Sequence, residues 1–320
     1  MTAFPRESSS ILSMGNCTPN LFIPGTPKGA TTSLANWLSQ HSEIHVSDVK
    51  EPWFFNDDRS TGHFVGREQK YRELFPVQEG VKYYCDATPD YLYSPSAMEQ
   101  ISNFSPSARF LVTFRSYAEA FFSLHQQERF MNLEPIESAE EALQACNERR
   151  REAKRSRRPE LKSLFYDERL RVGAQLYRAL ECIPRERFLL IDFSLIRDKP
   201  NDVWRAIEDF LGVGSETVSF NVQNTRKFVA TGNAARILRQ AKKLKNVLGI
   251  RGKSRLADAL RERMSPPDQA PPSISDEFRA AVNSRFRPDR QLVQQFAIAG
   301  PAIMADDFYS DADQEMMAGS

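Results

Sequence analysis

Short apolar runs alternate with longer polar segments along the first two thirds of the chain. The runs have the length and residue types of buried strands, and they begin at Leu21, Ile44, Tyr83, Arg109 and Arg187. Segments between them carry apolar residues three and four positions apart, as an amphipathic helix does. One such stripe consists of Leu34, Trp37 and Leu38, and another consists of Val172, Leu176 and Leu180. This alternation predicts an α/β fold, with a central parallel β-sheet flanked by helices on both faces.

Helix signals continue after the last apolar run. Residues 203–211 are amphipathic and end at Gly212, a typical helix stop, and residues 234–248 predict a basic amphipathic helix. Residues 265–273 hold four prolines and predict a loop. Ser275 can cap a further helix, which we expect to end near Pro288, before a shorter helix over residues 292–298.

A strongly basic stretch covers residues 149–158, where seven of ten positions are Lys or Arg. It has two interpretations, a contact with an acidic acceptor or the solvated face of a helix followed by a flexible connection. The second is favoured, because charge runs are usually solvated.

Composition restricts the classes of function. The 320 residues include 43 basic and 42 acidic ones, for a net charge of +1, which gives no support to nucleic-acid binding. No segment has the apolar length of a signal peptide or membrane span, so we expect a soluble, cytoplasmic protein without stable membrane insertion. The four cysteines are scattered, which predicts free thiols and no zinc site.

The chain length fits one large α/β domain. We expect a flexible N-terminal tail over residues 1–18, a single domain over residues 19–303 and an acidic C-terminal tail over residues 304–320. The sequence predicts no particular oligomeric state.

The turn between the first apolar run and the first predicted helix carries candidate anion-binding residues. Such a turn points backbone N–H groups and the positive end of a helix at one place, here beside Lys28 and three hydroxyls. Its members are Pro27, Lys28, Gly29, Ala30, Thr31, Thr32 and Ser33. They predict a phosphate cradle, with an ordinary strand-to-helix turn as the alternative. The pattern is not GxxxxGK[ST], because Lys28 precedes the hydroxyls by three residues.

Two further strand ends carry candidate functional residues. Glu51 follows the second apolar run beside Pro52 and three aromatic residues, and a solvated surface carboxylate is the alternative interpretation. Arg115 closes the fourth run and suits an oxyanion, or else a surface ion pair. Ser116 can cap the next helix, which would carry Ser123 and His125.

Several of these segments together resemble the sulfotransferases that use 3'-phosphoadenosine 5'-phosphosulfate, especially bacterial members similar to the heparan-sulfate type. Residues 27–34 are similar to the family's 5'-phosphosulfate loop, and Arg115 with Ser123 match its 3'-phosphate pair. Residues 50–55 are similar to its Lys-Glu-Pro-x-Phe-Phe segment, and residues 210–212 to its Phe-Leu-Gly helix end. The resemblance covers about residues 20–300.

The resemblance implies transfer of a sulfuryl group from 3'-phosphoadenosine 5'-phosphosulfate to a hydroxyl or amine of a small-molecule or saccharide acceptor. The reaction that the resemblance implies leaves adenosine 3',5'-bisphosphate as product and needs no metal. Glu51 would be the general base, with Lys28 as a catalytic cation and His125 as a reserve base. We add Arg226 and Lys227, in a polar loop over residues 221–232, to the cofactor-binding candidates.

One departure from the family pattern concerns the loop itself. Ala30 stands where the family has a glycine, so a positive φ there would strain the backbone. For Glu51, the neighbouring aromatic residues predict a raised pKa, which a carboxylate needs to act as a base toward a hydroxyl.

Two other functions compete with this interpretation. The first is a P-loop kinase of small molecules, for which Asp192 would be the candidate magnesium ligand. The second is a catalytically inactive nucleotide-binding homologue, against which the presence of both Lys28 and Glu51 argues.

Overall fold

A computed structural model describes residues 15–56, 67–131, 133–156, 159–220 and 274–309, without the side chains of residues 156 and 159–161. Six strands form one sheet in the order β2-β3-β1-β4-β5-β6, and each neighbouring pair is parallel. The strands are β1 (Leu21–Gly25), β2 (Ile44–Val46), β3 (Tyr83–Asp86), β4 (Arg109–Phe114), β5 (Phe188–Asp192) and β6 (Ala302–Ile303).

Ten α-helices accompany this sheet in the described ranges. They are α1 (Thr31–Leu38), α2 (Glu68–Arg72), α3 (Ala97–Phe104), α4 (Tyr117–Phe130), α5 (Ala139–Ser156), α6 (Tyr166–Arg169), α7 (Val172–Ala179), α8 (Phe193–Asp198), α9 (Pro200–Leu211) and α10 (Asp276–Ile298). No helix in the described part of the chain is both long and apolar enough to cross a bilayer.

Alternate residues of the central strands enter two separate apolar cores. In β1, Phe22 packs with α3, α4, α7 and α10, whereas Leu21 and Ile23 pack with α1, α8 and α9. In β4, Phe110 and Leu111 divide between the two cores in the same way. Because strand side chains alternate between faces, this division places helices on both faces of the sheet. The predicted α/β fold class is confirmed.

The C-terminal helix differs from its prediction. α10 is a single helix that contains Pro288, where we expected two helices. A proline inside a helix loses one backbone hydrogen bond. Here the buried stripe continues on both sides of Pro288, at Val282, Phe286 and Val293. The Asp289 carboxylate also anchors the helix, since it accepts from the Gly173 N–H at 2.9 Å.

The packed part of the chain extends beyond the predicted boundaries of residues 19 and 303. Near the start, the Cys17 N–H donates to the Phe75 carbonyl at 2.8 Å. Near the end, Phe308 is buried against Phe114, with 5.4 Å between ring centroids. Residues 15–18 and 304–309 therefore hold contacts with the domain, and the rest of both predicted tails lies outside the described residues. The predicted helix over 234–248 and the loop over 265–273 lie outside the described residues.

The basic stretch also departs from the expected solvated face. Its helical part is confirmed as the end of α5, but Arg149 is buried and its Nη2 lies 2.7 Å from Glu134 Oε1. Arg150 pairs with the buried Asp167 carboxylate at 2.5 Å. These ion pairs give two of the basic side chains a structural role. All four cysteines are free thiols, as predicted.

Candidate functional site

The candidate residues follow strands whose carboxyl ends meet at one edge of the sheet. β1 and β4 are neighbours, yet the chain leaves β1 toward β2 on one side and leaves β4 toward β5 on the other. Ligands of open α/β sheets bind at such a switch point. The loop after β1 and the start of α4 meet there.

The loop after β1 is locked onto β4 through Thr113. The Thr26 N–H donates to Thr113 Oγ1, and Thr26 Oγ donates to the Thr113 carbonyl, both at 3.0 Å. A Cβ atom added at Gly29 would lie 2.1 Å from Thr113 Oγ1, so this position excludes every side chain. Thr113 is fully buried and thus gives the loop a rigid support.

The same loop points backbone donors at the site. Lys28 and Ala30 both have a φ of 67°, and α1 starts directly after them at Thr31. No side chain caps α1, and the Ser33 N–H donates to the Ala30 carbonyl at 2.9 Å, so the N–H groups of Thr31 and Thr32 remain for an anion. Ala30 thus has the positive φ that, at this non-glycine position, strains the backbone. The hydroxyls of Thr31 and Ser33 belong to buried residues, whereas Thr32 is half-buried and Pro27 is buried.

Lys28 and Arg115 are brought together. Arg115 Nη1 donates to the Lys28 carbonyl at 3.1 Å, and Lys28 Nζ donates to Gln127 Oε1 of α4, also at 3.1 Å. Ser123 lies one helical turn before Gln127 and therefore on the same face of α4. Arg115 also pairs with Glu119 at 3.2 Å and covers the Phe193 ring, which leaves its side chain 12% exposed. It is thus more enclosed than a surface ion pair.

Glu51 lies in a segment with an unusual backbone. Glu51 and Trp53 have φ values of 56° and 59°, on either side of the buried Pro52. Burial raises the pKa of the Glu51 carboxyl, and the negative charge of Asp90 raises it further, while the Lys50 ammonium at 3.8 Å lowers it. The predicted direction of this pKa shift is confirmed. With 30% of its side chain exposed, Glu51 remains accessible to a second substrate.

Sequence reasoning missed a buried carboxylate beside this segment. Asp86, the last residue of β3, accepts from the hydroxyls of Tyr71 at 2.8 Å, Tyr91 at 2.9 Å and Thr88 at 2.6 Å. Burial raises the pKa of Asp86 to about 6 even though these three donors lower it. The polar turn after a predicted strand was the available signal, because it also holds Thr88 and Tyr91, whereas Tyr71 lies 15 positions earlier in the chain.

The turn after β3 is tied to both neighbouring elements. The Leu92 N–H donates to the Pro24 carbonyl at 2.9 Å, which joins the turn to the end of β1. Asp90 accepts from Arg169 Nη2 at 3.3 Å, and Arg169 Nη1 donates to Glu128 of α4 at 3.0 Å. All three charged side chains are buried, so this network fixes the turn beside the site.

Two candidate residues from the sequence, His125 and Asp192, make contacts that support the fold. His125 is fully buried on the face of α4 away from Ser123, where its ring lies 6.1 Å from the Tyr166 ring and its Nε2 lies 3.1 Å from the Ile136 carbonyl. The structure does not bring it to the loop, so we drop it as reserve base. Asp192 caps α8 by accepting from the Ser194 N–H at 2.8 Å.

Arg226 and Lys227 lie outside the described residues. Among the residues that are described, no group of three or more His, Cys, Asp or Glu side chains is arranged to hold a metal ion.

Comparisons with known proteins point in one direction. No protein-family model matches the chain. The membrane-associated sulfotransferase kil1 of Dictyostelium discoideum is 29% identical over 107 residues, which are 33% of this chain and 22% of that protein. The alignment therefore spans about a fifth of the length of this curated relative.

Solved structures extend the similarity to most of the fold. A sulfotransferase from Alicyclobacillus acidocaldarius superposes with a TM-score of 0.56 at 25% identity, over 77% of this chain and 99% of that one. The sulfotransferase domain of the curacin biosynthetic pathway gives a TM-score of 0.46 at 14% identity, over 85% of this chain and 98% of the domain. The resemblance to sulfotransferases is confirmed, whereas the heparan-sulfate type is not shown.

Proposed function

We propose that this chain, which we infer to be a member of the sulfotransferases, transfers a sulfuryl group from 3'-phosphoadenosine 5'-phosphosulfate to a hydroxyl or amine of a carbohydrate or small-molecule acceptor. One observation carries the proposal. Lys28, Arg115 and the uncapped start of α1 meet at the edge between β1 and β4, joined by the Arg115 to Lys28 hydrogen bond. Cations and N–H donors at one point suit a ligand with several anionic groups.

The residues present fit the donor nucleotide. The loop after β1 leaves backbone N–H groups for a 5'-phosphosulfate, and the absence of a Cβ at Gly29 lets the loop lie close to Thr113. Arg115 and Ser123 lie on the α4 side of the loop, where a 3'-phosphate would be held. When bound, the donor supplies an activated sulfuryl group.

The chain's own residues then have distinct tasks. Lys28 and the N–H groups of α1 hold negative charge on the leaving phosphate and on the transferred group. Glu51 takes the proton from the acceptor while the acceptor atom forms its bond to sulfur and the bond from sulfur to the leaving phosphate breaks. The raised pKa of Glu51 makes it a stronger base than an exposed glutamate.

The first experiment compares ligands by thermal unfolding. Adenosine 3',5'-bisphosphate without magnesium should raise the melting temperature, because a ligand that binds only the folded state stabilises it. ATP with magnesium should give a much smaller rise. The opposite order would favour the kinase. Transfer of labelled sulfate from 3'-phosphoadenosine 5'-phosphosulfate to acceptors in a cell extract then separates an enzyme from an inactive nucleotide-binding homologue.

A further inference from the structure

The segment that carries Glu51 needs support from outside, because two of its non-glycine residues have positive φ. Such backbone persists only where surrounding contacts determine it. One contact fixes the main chain directly, the hydrogen bond from the Phe54 N–H to the Tyr91 hydroxyl oxygen at 3.0 Å. The Phe54 ring also stacks on Tyr71, with 4.2 Å between centroids.

The Tyr91 hydroxyl is itself held in one orientation. A tyrosine hydroxyl has a single hydrogen, and that of Tyr91 is donated to Asp86 Oδ2 at 2.9 Å. Its lone pairs therefore face the Phe54 N–H. Both Tyr91 and Asp86 are buried to 0% exposure, so water does not compete for these bonds.

We propose that Asp86 and Tyr91 are positioning residues for Glu51. The buried Asp86 carboxylate sets the direction of the Tyr91 hydroxyl, this hydroxyl holds the Phe54 N–H, and the backbone so fixed aims Glu51 at the acceptor. The inference rests on the proposed function, in which Glu51 is the general base. Neither residue touches substrate in this assignment.

The structure offers a matched pair of variants, Tyr91→Phe and Tyr71→Phe. Each removes one hydroxyl donor from the same oxygen, Asp86 Oδ2, and each keeps its aromatic ring. Only Tyr91→Phe also removes the acceptor of the Phe54 N–H. The two variants therefore separate support of the Glu51 segment from general damage around Asp86.

Two measurements on the full chain test the proposal. In hydrogen exchange, the backbone amides of residues 51 and 53–56 should exchange faster in Tyr91→Phe than in Tyr71→Phe. In single turnover, Tyr91→Phe should slow sulfuryl transfer about tenfold, since small displacements of a catalytic group reduce rates strongly, and Tyr71→Phe by less than about threefold. Donor affinity should stay the same in both variants.

A double-mutant cycle gives the decisive outcome. In the Glu51→Gln background, Tyr91→Phe should cause no further loss of rate, because a positioning residue has nothing left to position. An equal tenfold loss in that background, or equal losses for the two tyrosine variants, overturns the inference. Lack of transfer by the unmodified chain overturns the proposed function instead, and hydrogen exchange still decides whether Tyr91 holds the segment.

Discussion

Two turns at the same edge of the sheet each place two non-glycine residues at positive φ, but they are held by different chemistry. In the turn after β1 these residues are Lys28 and Ala30, and in the segment after β2 they are Glu51 and Trp53. The first turn is fastened by hydrogen bonds to Thr113 and Arg115. The second rests on aromatic side chains and on the hydroxyl of Tyr91.

Under the proposed function, the two turns have different tasks. In the proposed function the first turn binds anions, and its contacts with Thr113 and Arg115 use the Thr26 N–H and the Lys28 carbonyl, which leaves the N–H groups at the start of α1 for the ligand. In the proposed function the second turn presents a base, and burial of the Glu51 carboxyl raises its pKa, as that role requires. Positive φ at four non-glycine residues is the kind of backbone strain that clusters at functional sites.

The largest expected effect comes from breaking the anion-binding turn at Lys28. Lys28→Ala should reduce turnover by 10² or more, because one preorganised charged donor is typically worth about that factor. Circular dichroism and the melting temperature should remain close to those of the unmodified chain. Lys70→Ala, at an exposed position of α2, removes an equal charge as the control. A loss below about tenfold for Lys28→Ala would contradict its role.

The second turn is broken by Glu51→Gln, which keeps the shape of the side chain and removes its basicity. The chemical step should fall by about 10² while donor affinity changes by no more than a few-fold. Calorimetry and single-turnover transfer measure the two quantities separately. Glu73→Gln, an exposed carboxylate, is the control. A near-normal rate would make Glu51 a structural carboxylate.

The dependence of the transfer rate on pH also tests Glu51 as the general base. Only the deprotonated carboxylate accepts a proton, so the rate should rise with pH through the pKa of Glu51, which burial places above the usual range of a glutamate. This rising limb should be missing from the profile of Glu51→Gln. Its persistence would assign the titration to another group.

A smaller effect on nucleotide affinity tests which residues hold the 3'-phosphate. Ser123→Ala and Arg115→Ala should weaken adenosine 3',5'-bisphosphate about tenfold more than adenosine 5'-phosphosulfate, as expected for lost hydrogen bonds to a charged group. Ser123→Ala is the cleaner variant, because Arg115 also donates to the Lys28 carbonyl. Calorimetry with both nucleotides measures the ratio. Equal losses would refute the assignment of the 3'-phosphate.

The sequence predicted what local patterns determine. β1, β2, β3 and β4 begin at the first residue of their apolar runs, and α1 buries the predicted stripe of Leu34, Trp37 and Leu38. The two-residue β6 was missed, since it gains strand geometry only by pairing with β5. The helix through Pro288 was missed for a similar reason, because contacts with α7 outweigh a local breaker.

Some residues of the candidate site can be predicted from local sequence patterns, and others cannot. Lys28, Glu51 and Arg115 stand at strand ends that can be read from the sequence. The supporting residues cannot be found in this way, because their partners are distant in the chain. Thr113 contacts Thr26 across 87 positions, and Tyr91 contacts Phe54 across 37. Nothing in the residues near Thr113 or Tyr91 specifies these contacts.

The smallest expected effect measures the backbone strain of the first turn. Ala30 adopts the left-handed conformation, which costs an L-residue about 1–2 kcal/mol, whereas Ala35 lies inside α1. Both alanines are partly buried in the same apolar core, so Ala30→Gly and Ala35→Gly lose similar methyl contacts.

Ala30→Gly relieves the strain, and this gain is reduced by the extra chain entropy of glycine, about 0.5–1 kcal/mol. Ala35→Gly has the same entropy cost and a similar loss of methyl contacts, but no backbone strain to relieve. Chemical denaturation should therefore find Ala30→Gly equal to or up to about 1 kcal/mol more stable than the unmodified chain, and Ala35→Gly about 1 kcal/mol less stable. If both variants lose the same free energy of unfolding, Ala30 carries no backbone strain that glycine can relieve. The hydrogen bonds between this turn and β4 then have no strain energy to offset.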